Sequence, residues 1–434
     1  MSQSSASHFN MQRHLKNFLL FLAASWIFRI LFLCLFYDRY SFDLAAWCRV
    51  GVYLLRGQNP YQVTESLNWP PVWMVLIYVF EKISQFTHCP FKEVVRGFLI
   101  ITETAMAGLL YAAIVRYTPA KNVTKTLIIG VALNPISIFQ VCQHGNFDVL
   151  VGFWILLAVY MLLRFQEHHE SRFWLVACFA LGMGAVTKTV PLCLGPLLMI
   201  SARKLTPAEL VLGAVFLLGP ISLGMSILYV LTPEDVTTKV LGYRSTPGYF
   251  GVSGLFSLLG AEHLQLLWSR FFGIVYGGAG LLLGAWLLTR ETMGRREIVS
   301  LATGLLLAIA ALGPGYGLHY VYWFLPLLIL QYEMAGAKTR LLLLILYAVA
   351  AIAYTIEYAL NYDAYGAFLL DLTRDETLLK WGVAVSTGKG ETLLCLPLWL
   401  LYCLALAACG AETGRDMVRD FKLKWRRSRL PAGG

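Results

Sequence analysis

The sequence predicts an all-α protein folded within a membrane, and three observations carry that prediction. Hydrophobic residues fill 58% of the 434 positions and charged residues only 14%, too few charges to clothe a soluble globule of this length. Apolar runs of about twenty residues, the length that crosses a hydrocarbon core as a helix, recur from Leu15 to Ala408. The gaps between these runs are short, and none has room for a separate soluble domain of ordinary size. The expected organisation is one polytopic domain over residues 17–410, with residues 1–16 as a cytosolic N-terminus and 411–434 as a basic cytosolic tail.

The elements follow in order. The opening segment, MSQSSASHFNMQRHLKNFLL, has the look of a signal-peptide n-region. The apolar run after it, 17–37, is too long for a cleaved core and ends without a small-x-small site, so it reads as a retained first span. Further spans are expected at 94–117, 126–141, 148–165, 173–187, 189–201, 207–231, 268–289, 297–311, 319–334, 340–360 and 392–409, about twelve in all with the first. Several are short or interrupted by Gly or Pro, which membrane helices tolerate where they pack on protein or line a cavity.

The run 70–86 decides the topology. If it crosses, the basic pairs Arg116/Lys121/Lys125, Arg164/Arg172, Arg203/Lys204 and Lys338/Arg340 fall on the side opposite the basic ends. If it lies in the interface or re-enters, all of them join Arg290, Arg295, Arg296 and the tail on one side, as the positive-inside rule requires. The second arrangement is the expected one. Residues 38–93 then form a first outer loop with interfacial helices, both termini are cytosolic, and polar segments around Asp43, 142–148, Lys188, 232–267 and 313–319 meet outside. The net charge of +10 is explained by the same placement, and attraction to anionic headgroups accounts for the basic tail without nucleic acid. The nine cysteines form no C-x-x-C pair and no zinc-spaced cluster, and most lie inside apolar runs as small buried hydrophobes.

Chemistry is expected to begin in the semi-polar stretch SFDLAAWCRVGVYLLRGQNPYQVTESLNWPP, residues 41–71. Asp43 opens a segment of helical period in which Leu44, Cys48, Gly51 and Leu55 share one face and Arg49, Tyr53 and Arg56 the other. A helix lying flat in the headgroup region has that pattern, with a carboxylate at its positive end. The plain alternative is that Asp43 only caps the helix. The run Gln143-His144-Gly145-Asn146-Phe147-Asp148 packs paired donors and acceptors between two apolar segments, as a hydroxyl-rich ligand requires. A turn with Asn146 or Asp148 as cap explains it equally well. Lys188, in AVTKTVPLCLGP, puts an ammonium at a helix break inside the membrane domain, for which a phosphate is a natural partner and a salt bridge the plain alternative. His319, in GPGYGLHYVYWFLP, stands among Tyr and Trp residues that an interfacial aromatic belt explains, while the His itself needs another reason. Arg244 lies in a glycine- and aromatic-rich outer loop. Arg29 and Glu103 are intramembrane charges that can pair with each other.

Taken together, an early outer-loop Asp, LLRGQNPY, a Trp-Pro-Pro, QHGNFD, TKTVP and GLHYVYWFLP resemble the polyprenyl-phosphate-sugar-dependent glycosyltransferases of the GT-C fold, nearest to the α-mannosyltransferase-containing glycosyltransferase family 87. The resemblance runs from Asp43 to about Pro326 and departs from the family pattern at His144, where a Gly-Gln-x-Asn is usual. It implies transfer of a hexose, mannose foremost, from a polyprenyl-phosphate donor to a lipid-linked or glycan acceptor on the extracytoplasmic face of a cell membrane, or of the endoplasmic reticulum in a eukaryote. It places Asp43 as catalytic base, Lys188 at the phosphate and His319 in the active site; His144, Gln143, Asn146, Arg244 and Tyr61 are the further expected substrate contacts. A sugar phosphodiester carries its own leaving group, so one base and a few cations suffice for inversion. The site lacks an Asp-x-Asp, and the reading calls for no cofactor or obligatory metal. Rival readings are a lipid-linked-sugar flippase or polytopic transporter, a ligase or polymerase using a diphosphate lipid, and a non-catalytic scaffold.

Overall fold

A computed structural model describes residues 3–429 apart from 38–39, 64–68, 120–121, 201, 232–238, 240–249, 291–292, 316, 361–376, 378–379 and 383–387. The described residues are helical throughout their regular structure. The helices are α1 (Gln3–Leu35), α2 (Phe42–Leu55), α3 (Pro60–Val63), α4 (Pro71–Thr87), α5 (Phe91–Tyr117), α6 (Val123–Leu127), α7 (Pro135–Ile138), α8 (Asp148–His168), α9 (Ser171–Thr187), α10 (Pro207–Leu231), α11 (Gly251–Leu258), α12 (Glu262–Leu288), α13 (Arg295–Leu312), α14 (Leu325–Met334), α15 (Ala337–Leu360) and α16 (Gly388–Arg429). Two 3-10 segments that matter for the site, Val190–Met199 and Leu318–Trp323, follow α9 and α13.

Each of the twelve expected spans is helical. Seven are long and apolar enough to cross a bilayer, and Ser171–Thr187 and Val190–Met199 are shorter apolar pieces. The chain is a multi-pass membrane protein. The span expected at 126–141 is broken. The pieces Val123–Ala132 and Pro135–His144 meet at 50°, because Asn134 accepts the Ile136 N–H and Pro135 can only begin a helix, not continue one. Both pieces end in wide π-helical turns, Ile128–Ala132 and Phe139–His144. The second turn delivers Gln143 and His144 to the end of the bundle where α2 lies.

α4 has 17 residues and is not among the seven helices long and apolar enough to cross a bilayer. Trp69-Pro-Pro starts it: Pro70 is its extended cap and Pro71 its first residue. It buries Trp73, Met74, Ile77 and Phe80 against α2 and leaves Val75, Val79, Ile83 and Phe86 exposed. The buried face of α2 differs from the expected one. It is centred on Leu44, Trp47, Val50 and Gly51, while Cys48 is only half-buried. The large indole of Trp47 decides the rotation, packing edge-on to Trp73 at 4.8 Å and against Phe147 at 5.7 Å.

Buried arginines hold the broken span in place. Arg29 of α1 donates to Glu103 (2.8 Å), to the carbonyls of Val131 (3.0 Å) and Ala132 (2.9 Å), and to Ser137 (2.7 Å). Those carbonyls belong to the helix end before the break, where Val131 otherwise accepts a long 3.3 Å bond from the Asn134 N–H. Arg96 of α5 donates to Glu93 (3.0 Å) and to the carbonyls of Phe36 and Gln143, both at 3.3 Å. The expected pairing of Arg29 with Glu103 is therefore present, and it braces the bend.

Candidate active site

The site is built where the first turn of α2, the 144–148 turn, the C-terminus of α9, the 318–323 segment and the end of α15 converge. Ser41 caps α2: its hydroxyl accepts the Leu44 N–H and donates to the His144 carbonyl at 2.6 Å. The helix cap is thus Ser41, and Asp43 is left free for other partners. Its Oδ2 lies 2.9 Å from His144 Nε2 and 2.7 Å from Asn146 Nδ2. An ionised carboxylate only accepts, so Nε2 carries the proton in this pair. His144 Nδ1 faces the Tyr358 hydroxyl at 2.5 Å, and Tyr358 stacks on Tyr354 at 4.5 Å.

The local sequence explains why these groups meet. Gly145 adopts φ +66°, and a side chain there would run into Leu44 at 2.9 Å, so the turn can approach α2 only through a glycine. Asn146 has two roles. Its Oδ1 accepts the Asp148 N–H at 2.9 Å to start α8, and its amide nitrogen faces Asp43. Gly152 on α8 lets the Tyr322 carbonyl come within 3.1 Å of where a Cβ would stand, which admits the 318–323 segment.

Across from Asp43 lie Lys188 and His319. Lys188, at the C-cap of α9, reaches Asp148 Oδ1 at 2.7 Å and sits over the rings of Tyr320, Trp323 and Phe147 at 4.3, 4.8 and 5.3 Å. The His319 ring is edge-on to His144 at 5.2 Å, and its Nε2 is 3.9 Å from Asp148 Oδ2. Asp148 is fully buried, whereas Asp43, Lys188 and His319 keep 25%, 21% and 18% of their side chains exposed. Burial by itself raises the Asp43 carboxyl. The hydrogen bond from His144 and the charge interactions with His144, His319 and Lys188 outweigh it and hold the carboxyl below the ordinary carboxylate range.

Asp43, His144, Asn146, Lys188 and His319, far apart in sequence, are therefore neighbours. Gln143 stands beside them, with its amide donating to the Tyr358 carbonyl at 3.2 Å. Tyr61 is 1% exposed and gives its hydroxyl to the Trp69 carbonyl at 3.1 Å, so its polar end is engaged inside the protein. Arg244 lies outside the described residues. Sequence reasoning missed Tyr358, Tyr320, Trp323 and the pairing of Asp148 with Lys188. No local signal marked the last of these, whose members are 40 positions apart.

Fold and site together define a polytopic membrane protein with a polar, water-accessible cluster at one end of its helices. The sequence model of glycosyltransferase family 87 matches residues 68–312, more than half of the chain, and the protein belongs to that family. It is a membrane glycosyltransferase. The matched segment includes His144, Asn146, Asp148 and Lys188 and begins after Asp43. No curated protein and no solved structure matches the chain.

Proposed function

We propose that this enzyme transfers a hexose, mannose foremost, from a polyprenyl phosphate to a hydroxyl of a lipid-linked or glycan acceptor, with inversion at the anomeric carbon. The observation that carries the reading is Asp43: a partly open carboxylate, oriented by His144 and Asn146 and faced by Lys188 and His319. Asp43 takes the proton of the acceptor hydroxyl as its oxygen bonds to the anomeric carbon. The bond from that carbon to the phosphate oxygen breaks, and the lipid phosphate leaves with the electron pair. Lys188 meets the charge it carries away, and His319 serves there as a hydrogen-bond donor. Asp148, fully buried and held by Lys188, is not presented as a nucleophile, which supports inversion over a covalent intermediate.

A lipid-linked donor is supported by a groove of about 750 Å³ between the 190–199 segment and α12. It starts at Thr189, next to Lys188, and is lined by Leu192, Cys193 and Pro196 on one side and by Gly277, Gly280 and Gly284 on the other. An apolar chain whose phosphate rests on Lys188 has a path there. The extracytoplasmic placement is supported by the opposite end of the helices. There Arg116 and Arg295 both reach Glu167, and Arg340 donates to the Glu333 carbonyl. That end gathers the basic residues the positive-inside rule assigns to the cytosol.

The test is transfer by purified enzyme in proteoliposomes, offered labelled polyprenyl-phosphate hexoses beside nucleotide sugars. Use of the polyprenyl donor with an inverted product linkage is expected; use of nucleotide sugars alone, or a retained linkage, overturns the proposal. A pH prediction follows from the environment of Asp43. With its carboxyl held low, kcat/KM stays flat on the acid side down to about pH 5. His144→Gln removes the largest interactions that lower the carboxyl, keeps those of His319 and Lys188, and leaves the burial that raises it, so the acid limb moves to higher pH. The sign is the same for stability. A carboxyl depressed by folding lends stability above its unfolded pKa, and that stability is lost as pH falls through the folded value. An unmoved acid limb in His144→Gln rejects the coupling.

A further inference from the structure

Asp148 is set apart by the state of its two oxygens. Oδ1 accepts from Lys188 at 2.7 Å, while Oδ2 is buried and has no hydrogen-bond donor. His319 Nε2 stands 3.9 Å from Oδ2, too long for a direct hydrogen bond. His319 Nδ1 is likewise buried without a partner. A carboxylate oxygen left this way strongly favours any donor brought to it.

We infer that Asp148 Oδ2 and His319 Nε2 form a hydroxyl-binding subsite that reads one hydroxyl of the transferred hexose. The two atoms are 3.9 Å apart and Oδ2 is closed to solvent, so an oxygen hydrogen-bonded to both, at about 2.8 Å from each, enters when the partly exposed His319 ring turns aside. A hydroxyl suits the pair because it donates and accepts at once: its proton goes to Asp148, and its lone pair accepts from His319. The position assigns the hydroxyl to the donor sugar. Lys188 bonds the other oxygen of the same carboxylate and, in the proposed function on which this inference rests, holds the donor phosphate. A sugar anchored by its phosphate at Lys188 brings its ring over Asp148 and towards Asp43. The aromatic faces of Tyr320 and Trp323, stacked on each other at 4.0 Å beside Lys188, supply an apolar wall. Asp148 is then a specificity determinant, in addition to starting α8.

Discrimination follows from the burial of the carboxylate. A hexose lacking the hydroxyl, or presenting it in the other configuration, leaves Oδ2 unpaired in a closed site, a penalty that hydroxyl-reading sites turn into large selectivity. A water held between the two groups makes the same bonds without distinguishing sugars, and the experiment separates the two cases.

The enzyme in proteoliposomes is assayed with a polyprenyl-phosphate hexose and with analogues each lacking one ring hydroxyl, for wild type, Asp148→Asn and His319→Gln. Wild type is expected to use one analogue about 10²-fold less well than the parent in kcat/KM. Both variants are expected to lose that preference at the same ring position while retaining their preferences at the others. A purely structural role for Asp148 lowers turnover of every donor alike and leaves the ratios unchanged, which overturns the subsite. Equal use of all analogues by wild type overturns it too. Should Asp148→Asn fail to fold, His319→Gln gives the same readout. Wild type that takes hexose from no polyprenyl phosphate instead overturns the donor reading, and this subsite with it.

Discussion

Asp43→Asn is expected to lower kcat for transfer by about 10³-fold, the range a positioned general base contributes, while leaving the protein folded. The substitution is nearly isosteric. The Asn carbonyl oxygen can still accept from His144 or Asn146, so neither partner is left without a bond. Ser41, not Asp43, holds the helix cap, so α2 keeps its start. What is lost is the capacity to take a proton. The acceptor hydroxyl then attacks while still protonated, and the positive charge growing on its oxygen has no carboxylate to receive it. Donor binding is expected to change little, because Lys188 and His319, which face the phosphate, are untouched. The checks are steady-state transfer, donor affinity and thermal unfolding measured on one preparation. Full activity in Asp43→Asn removes Asp43 as base. Loss of donor binding together with turnover would show a binding role instead.

Much of this site could be read from the residues because polar groups are expensive in an apolar chain and stand out when they occur. Asp43, the QHGNFD turn, Lys188 and His319 were each conspicuous for that reason, and the fold brings them together. The residues that escaped notice look ordinary in a membrane sequence. Tyr358 and Tyr354 sit one helical turn apart near the end of an expected span, where tyrosine is common, and nothing local says that one of them faces His144. Tyr320 and Trp323 read as an interfacial belt until Lys188 is seen above their rings. Asp148 begins an apolar run and so passes for a helix cap; its partner is forty positions away. The break in the 126–141 span had a local signal, Asn134-Pro135, that hydropathy alone overrides. The face of α2 was misjudged because periodicity ranks positions by type, whereas Trp47 wins the interior by size.

Arg29→Met is expected to destabilise the protein by about 3–5 kcal/mol, the usual effect of removing one member of a buried ion pair. Arg29 is fully buried and Glu103 is 2% exposed. Loss of the guanidinium leaves the carboxylate with only neutral donors, Ser137 and Tyr322, the latter at 2.6 Å. It also removes the Arg29 donor from the Ala132 carbonyl at the 50° bend and leaves the Val131 carbonyl with the long bond from the Asn134 N–H, at 3.3 Å. Methionine fills much of the same volume, so the effect reports charge and hydrogen bonding more than a cavity. Adding Glu103→Leu removes the stranded charge, and the double variant is expected to recover part of the loss, since a buried pair replaced by apolar side chains is often close to neutral. Recovery should remain incomplete, because the guanidinium bonds to the two carbonyls stay missing. The bend sets the direction of 139–144 and hence the reach of His144 to Asp43, so transfer in the double variant should fall further than its stability does. Thermal unfolding in detergent and transfer rates, measured on the wild type, both single variants and the double variant, give the coupling energy of the pair. An Arg29→Met protein as stable as wild type would show that the bend holds without its brace.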